Sequence, residues 1–179
     1  MQKKISVIMS VYGRPEFIKK TINSVLQQTY KNFEFIIIND GSKNKLVNKK
    51  LNIFAKKDKR IKIITNKTNI GLTKSLNKGI KFANGEYIAR IDNGDICHKN
   101  RFKIQSDFLD KNKDYAIVGS FVNIINLSGE KIGKIEYPIK NNEIKRAIIR
   151  TNPFAHSTLM IKKDVLDKLG LYNKKFYYS

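Results

Sequence analysis

Two carboxylates three positions apart, Asp92 and Asp95, close the run Gly85-Glu86-Tyr87-Ile88-Ala89-Arg90-Ile91-Asp92-Asn93-Gly94-Asp95. Tyr87, Ile88, Ala89 and Ile91 suit a strand covered on both faces. Asn93-Gly94 is a strong turn signal that ends it. Asp92 and Asp95 then stand at the carboxyl end of a buried strand, where open α/β sheets bind their ligands. Hard oxygen ligands in such a place suit Mg²⁺ or Mn²⁺, which keep some waters and take further ligands from substrate phosphates. An isolated Asp-x-x-Asp is also an ordinary polar turn, so its surroundings must decide. Arg90 is one such surrounding, because a guanidinium in the middle of an apolar strand needs a partner.

The elements that would position these groups alternate along the chain. Residues 4–10 read as a buried strand through Ile5, Val7, Ile8 and Met9. A loop follows over 11–14, and Pro15 fits the first turn of a helix that carries Phe17, Ile18, Ile22, Val25 and Leu26 as far as Gln28. Residues 33–39 form a second strand around Ile36-Ile37-Ile38, stopped by Asp40-Gly41-Ser42. Leu46, Leu51, Ile53 and Phe54 mark a second helix, and residues 60–65 a third strand. Asn69-Ile70-Gly71 then turns into a helix with Leu72, Leu76, Ile80 and Ala83. Such alternation predicts an α/β fold, a mostly parallel sheet with helices on both faces. Right-handed crossovers bring the loop tips at 10–14, 40–42, 66–71 and 92–95 to one rim.

Beyond Asp95 the pattern predicts a helix over 100–111 and strands over 115–118 and 121–127. Ser128-Gly129 then turns into a strand over 132–137. A helix over 143–149, a strand-like block over 152–160 and a helix over 163–169 closed by Gly170 complete it. Neither a Gly-x-Gly-x-x-Gly fingerprint nor a Walker lysine loop is present, which excludes the common dinucleotide and P-loop solutions.

A length of 179 residues with 41% hydrophobic content indicates one globular domain. No apolar run reaches the length of a membrane span, and Met1-Gln2-Lys3-Lys4 opens no signal-peptide core, so the expected compartment is the cytoplasm. The single cysteine, Cys97, allows neither an internal disulfide nor a cysteine zinc site. A net charge of +21 invites nucleic acid or an anionic membrane. The lysines are spread along the chain, with no arginine-rich arm, zinc-finger spacing or aromatic-basic RNA signature. Weak attraction to phosphates and anionic lipids is expected, and no specific nucleic acid.

Six blocks in register carry a resemblance: Ile5-Ser-Val-Ile-Met-Ser-Val-Tyr-Gly-Arg14, Ser24-Val-Leu-Gln-Gln-Thr-Tyr30, Phe35-Ile-Ile-Ile-Asn-Asp-Gly-Ser42, Asn69-Ile-Gly-Leu72, Asn77-Lys-Gly79 and Gly85 to Asp95. Together they resemble family 2 glycosyltransferases over essentially the whole chain. The resemblance implies a single GT-A domain, with a nucleotide-sugar donor-binding half over 1–98. Residues 99–179 would be an incomplete acceptor-side half containing a small antiparallel portion. It further implies transfer of a sugar with inversion from a nucleotide-diphospho-sugar, a UDP-sugar first, to a hydroxyl on a glycan or lipid-linked acceptor. Bacterial surface polysaccharide synthesis, a Mn²⁺ or Mg²⁺ cofactor and work at the inner membrane face follow as family-level expectations.

The resemblance also assigns residues. Ser10, Val11 and Tyr12 would frame the base and ribose, with Arg14 directed at the phosphates. Tyr12 suits a core-rim aromatic equally well. Asp40 matches an aspartate that accepts a hydrogen bond from uracil, although Asp-Gly-Ser also fits a cap or turn. Asn69, Gly71, Arg90, Asp92 and Asn93 match positions near the ribose and diphosphate, and Gly71 also suits a plain left-handed turn. Asp92 and Asp95 are the metal candidates. His156 would lie near the diphosphate or acceptor, or serve the structure alone, and His98 is expected on the surface.

Two departures qualify the resemblance. The family's commoner Asp-Ala-Asp-Asp reads here Asp92-Asn93-Gly94-Asp95, so Gly94 replaces the usual metal ligand and weaker metal binding is expected. The aspartate that would act as general base is expected beyond Ser179, after Phe176-Tyr-Tyr-Ser179. An inverting transfer needs a base within hydrogen-bond reach of the nucleophile, so these residues are expected to bind donor and transfer little. The alternatives are a non-catalytic nucleotide-sugar binding module and, third, a basic nucleic-acid or membrane-surface binder.

Overall fold

The computed structural model of the protein describes residues 3–175. Its apolar, β-branched runs form strands: β1 (Ile5–Val11), β2 (Phe33–Asn39), β3 (Ile61–Thr65) and β4 (Tyr87–Arg90). Between them lie α1 (Pro15–Leu26), α2 (Lys45–Lys57) and α3 (Leu72–Lys81), followed by α4 (Arg101–Lys111). The second half adds β5 (Ile117–Val118), β6 (Val122–Ile125), β7 (Lys131–Ile135), α5 (Asn141–Ala147), β8 (Met160–Lys162) and α6 (Lys163–Leu169).

Six strands form one sheet in the order β3-β2-β1-β4-β8-β5. β1 is parallel to β2 and to β4, with Ile8 opposite both Ile36 and Arg90, and β2 is parallel to β3. β8 pairs antiparallel with β4 and with β5. β1, β2 and β4 are buried almost throughout, because helices cover both faces. Ile18, Ile22 and Val25 of α1, Val47 and Leu51 of α2, and Phe102 and Leu109 of α4 pack on one face. Leu76 and Ile80 of α3 and Leu166 of α6 pack on the other. The mostly parallel, doubly covered sheet is the architecture the alternation predicted, and β6 and β7 form a separate antiparallel hairpin.

The irregular parts differ from the sequence pattern. The strand-like block over 152–160 is a loop with one 3-10 turn, His156–Thr158, and becomes strand only at Met160. Its polar side chains bind their own backbone instead of a ladder: Asn152 Oδ1 accepts from Phe154 N, and Thr158 Oγ1 donates to Ala155 O. β5 keeps two residues of the expected four. α1 stops at Leu26, and Gln28 is buried beyond it, bonded to Ser24 O and His98 O and accepting from Phe102 N. β3 begins one residue late, at Ile61, because Arg60 folds back onto Asp58 through two side-chain bonds of 3.0 and 2.7 Å. α5 spans Asn141–Ala147 and so starts two residues before the expected 143.

Candidate functional site

The four loop tips after β1, β2, β3 and β4 are joined by hydrogen bonds at one rim of the sheet. Asp40 is the hub. Its amide donates to Val11 O at 2.9 Å, tying the β2 loop to the β1 loop. Its buried carboxylate accepts three bonds: Oδ1 from Asn66 Nδ2 and from Ile70 N, both at 2.9 Å, and Oδ2 from Gly71 N at 3.0 Å. Gly71 N is shared with Asn69 Oδ1, and Asn66 Oδ1 accepts from Lys78 Nζ. The close approach requires glycine at 41: a Cβ there would lie 2.2 Å from the carbonyl carbon of Thr68, and its φ is +69°. Asp40 therefore fixes the 66–71 loop, a duty the sequence pattern did not reveal.

On the other side of β1, the loop over 10–14 meets the turn after β4. Tyr12 is 62% exposed and offers its ring to solvent. Arg14 holds a left-handed conformation, φ 47°, directly before Pro15 opens α1. Strained backbone of this kind persists where surrounding contacts determine it, and Asn93 Nδ2 donates to Arg14 O at 3.1 Å. Gly94 N donates to Thr21 Oγ1 of α1, and Asp95 N closes the turn on Asp92 O. Gly94 has φ +120°, with only the Phe17 ring near its open side at 3.9 Å. Backbone conformation, rather than space, excludes an ordinary residue there.

Arg90 is fully buried and donates from Nη2 to Asp92 Oδ1 at 2.7 Å. Its Nε and Nη1 are buried without a hydrogen-bond partner among the described residues. An arrangement with two orphan donors is costly to the fold, which marks the residue as held for charge. The Asp92 side chain remains 45% exposed although its Oδ1 is held by Arg90.

Two residues missed in the sequence complete this end. Tyr172 accepts or donates a 3.0 Å hydrogen bond with His156 Nε2, and the two rings meet edge to face. Burial raises the Tyr172 hydroxyl above its ordinary range; Asp92 adds to this and Arg90 opposes it. Asn77 of α3 clamps the Tyr172 backbone in both directions, at 2.7 and 3.0 Å. His156 is thus held in place by Tyr172, which Asn77 fixes in turn. Arg101, at the start of α4, is the other: Nη2 donates to Arg90 O and Leu159 O, Nη1 to Cys97 Sγ and Nε to Gln105. It ties the ends of β4 and β8. Its signal was a charged residue at the buried opening of an amphipathic helix; Tyr172, after the last helix, had none.

Asp95 lines a cleft of about 780 Å³ between α4, the 155–158 turn and the β6–β7 hairpin. Arg101, Phe108, Phe121 and Ser157 help line it. The crowding of the cleft raises the Asp95 carboxyl above its usual range; a Ser157 hydrogen bond opposes this, Asp92 adds to it, and Arg101 and Arg90 oppose it. The residue keeps exposed surface, so this is partial shielding rather than full burial. His98 is exposed, as expected. Residues 176–179, before the expected base, lie outside the described residues.

The donor set for a cation is small. Among the described residues no group of three or more His, Cys, Asp or Glu side chains could hold a metal. Asp92 and Asp95 supply two carboxylates in one four-residue turn. That fits an ion completed by phosphate oxygens and water, as Mg²⁺ and Mn²⁺ sites commonly are.

The model of the family described as "Glycosyl transferase family 2" matches residues 6–170. An uncharacterized glycosyltransferase of Haemophilus influenzae is 36% identical over 184 residues, covering 98% of this chain and 57% of that protein. The Escherichia coli O-antigen biosynthesis glycosyltransferase WbnJ is 38% identical over 178 residues, covering 97% of this chain and 68% of that protein. An E. coli UDP-Gal:alpha-D-GlcNAc-diphosphoundecaprenol beta-1,3-galactosyltransferase is 29% identical over 178 residues, covering 98% of this chain and 64% of that protein. The chain thus spans about three-fifths of the length of these relatives. In fold it is similar to a Pyrobaculum calidifontis mannosyltransferase in complex with GDP-Man and Mn²⁺. The TM-score is 0.73 at 13% identity, over 97% of this chain and 48% of that one. It is likewise similar to Staphylococcus aureus TarS 1–349 in complex with UDP, TM-score 0.70 at 20% identity, over 98% of this chain and 52% of that one.

Proposed function

The chain belongs to glycosyl transferase family 2, and from that premise we propose that it binds a UDP-sugar at the rim shared by its four loop tips. In the whole protein the sugar would pass with inversion to a hydroxyl on a glycan or lipid-linked acceptor in surface polysaccharide synthesis. The observation that carries this reading is the hydrogen-bonded rim itself. Asp40 unites the loops after β1, β2 and β3, while Asn93 joins the β4 turn to Arg14. Two relatives support the context by name, one in O-antigen biosynthesis and one using UDP-Gal.

Residue roles follow from chemistry. Tyr12 gives the base a flat face, Ser10 and Val11 frame it, and Asp40 turns the remaining capacity of Oδ2 toward a pyrimidine N–H. Asn69 and the Gly71 backbone border the ribose. Arg14 and Arg90 offset the charge of the diphosphate, and Asn93 keeps the turn in place. Asp92 and Asp95 would hold Mn²⁺ or Mg²⁺ together with the diphosphate. That ion would supply electrostatic stabilisation of the leaving group. Tyr172 would orient His156 on the diphosphate or acceptor side. Separately, the cleft beside Asp95 has a size suited to a small ligand. These residues by themselves are proposed to bind donor and transfer little sugar. The protein would work in the cytoplasm against the inner membrane face. A second reading, a nucleotide-sugar binding module without catalysis, is favoured by Gly94 at φ +120° in place of a third carboxylate.

Thermal unfolding with UDP, GDP, CDP and short DNA, each with and without Mn²⁺, tests the proposal. UDP at about 100 times its Kd contributes about 2.7 kcal/mol, a rise in Tm of roughly 5–10 °C for a chain of this size. UDP with Mn²⁺ is expected to give the largest rise, and Asp92→Asn to remove most of it. No rise with any nucleotide at millimolar concentration overturns the reading.

A further inference from the structure

Lysines occur along the whole chain but not evenly. Residues 43–67 hold ten of its 36 Lys and Arg residues and one of its 15 acids, Asp58. Asp58 is taken by Arg60, and Lys62 pairs with Glu34 from the neighbouring strand. Lys50 reaches Pro15 O. Among the described residues Lys43, Lys45, Lys49, Lys56, Lys57, Lys59 and Lys67 form no ion pair.

Most of these cations belong to α2, which has two faces. Val47 and Leu51 are buried against the sheet, with Phe54 packed beside them. Leu46, Lys49, Lys50, Ile53, Lys56 and Lys57 recur at the spacing of the opposite face. On that face Leu46 is 55% exposed and Ile53 42% exposed. The lysines flank an apolar centre.

Folding alone does not account for this stripe. Lys45 sits in the first turn, which carries no acid, where the helix dipole disfavours a cation. Lys45 and Lys49 repel each other at one turn's separation. Leu46 and Ile53 gain little burial. Helices with a lysine-rich border and exposed apolar residues bind anionic lipid surfaces, the charges drawing the helix in and the apolar groups entering the headgroup boundary. Nucleic acid would satisfy the lysines but has no use for Leu46 and Ile53.

We propose that the outer face of α2 is the surface by which this protein docks on an anionic phospholipid bilayer. The inference deepens the membrane association proposed above and rests on it. Nucleotide plays no part in it, so its failure leaves donor binding to be judged by the nucleotide titration. α2 begins just after Asp40-Gly41-Ser42, so docking there brings the donor rim close to the bilayer.

The test is flotation of the purified chain with phosphatidylcholine vesicles, pure or containing about 30 mol% phosphatidylglycerol, at low and at high salt. Binding to the anionic vesicles only, weakened by salt, is expected. Each lysine near such a surface contributes about fivefold in partitioning. The triple change Lys49→Gln, Lys56→Gln, Lys57→Gln should therefore lower partitioning by on the order of a hundredfold, with no loss in Tm. The same charge change on the other face of the sheet (Lys74→Gln, Lys81→Gln, Lys168→Gln) should lower it by less than about tenfold through net charge alone. Leu46→Ser with Ile53→Ser should lower it several-fold at unchanged charge. Equal losses in the two triple variants overturn the proposal, as does equal binding to neutral vesicles or none to either. Binding that ignores Leu46 and Ile53, and that short duplex DNA displaces at lower concentration than lipid, assigns the face to nucleic acid and also overturns it.

Discussion

Asp40→Asn isolates the hub of the rim with almost no change of shape. The native carboxylate accepts two bonds on Oδ1 and one on Oδ2, two of the three from backbone N–H groups. An asparagine has one acceptor oxygen. The less costly orientation keeps that oxygen on Asn66 and Ile70 and points its amide at Gly71 N, donor against donor. Gly71 N retains Asn69 Oδ1, so it is not orphaned. The variant thus loses one charge-assisted bond, worth about 1.5–3 kcal/mol, and converts two others to neutral bonds of about 1 kcal/mol each. Partial exposure of the 66–71 loop moderates the sum, and a loss of about 2–4 kcal/mol of stability is expected. That lowers Tm by roughly 5–15 °C for a chain of this size. Because the loop borders the proposed ribose site, calorimetric UDP affinity with Mn²⁺ should fall at least tenfold. If Asp40 also meets a pyrimidine N–H, UDP should lose more than CDP, whose ring lacks that donor. An Asp40→Asn protein with unchanged Tm and unchanged UDP affinity refutes the hub.

Three further outcomes are expected. Arg90→Met should leave Tm unchanged or higher, because a buried guanidinium with two orphan donors is replaced by apolar volume; UDP–Mn²⁺ affinity measured by calorimetry should fall tenfold or more as Asp92 loses its clamp. Burial acts to raise the Glu34 carboxyl, but Lys62, the Asn84 amide, Ser6 and Lys4 together outweigh it and hold it below its usual range. Its stabilisation is therefore present above the unfolded carboxyl pKa of about 4.3 and lost as pH falls through the lower folded value. Glu34→Gln should cost about 2 kcal/mol at neutral pH, and thermal unfolding should show the gap to wild type closing in strong acid. Mn²⁺ without nucleotide should bind more weakly than about 100 μM, since two carboxylates leave most of the ion's ligands to water and phosphate. Gly94→Asp should raise that affinity less than tenfold while costing about 1–3 kcal/mol in backbone strain at φ +120°. Calorimetry on the two proteins decides, and micromolar Mn²⁺ binding by the unaltered chain contradicts the point.

Much of the frame was legible because periodicity and turn chemistry agree there. The Ile36-Ile37-Ile38 run could only be a covered strand, and Asp40-Gly41-Ser42 could only stop it. The rim followed from topology once four such loops had been found. What stayed hidden depends on contacts distant in sequence. Nothing local distinguishes Asp40 as a loop anchor from Asp40 as a helix cap, because its partners lie 26 to 31 residues away. Tyr172 reaches Asn77 across 95 residues and follows no pattern that could be read. The 152–160 block misled because its apolar content resembles a strand, while Asn152, Pro153 and Thr158 give the backbone other partners.

Donor binding at the rim can be seen outright in a crystal structure of the chain grown with UDP and Mn²⁺. The uridine is expected against Tyr12 beside Asp40, with the diphosphate and one ion at Asp92. Nucleotide bound anywhere else, or a rim left without it at saturating UDP, would show that the four loop tips are not the donor site.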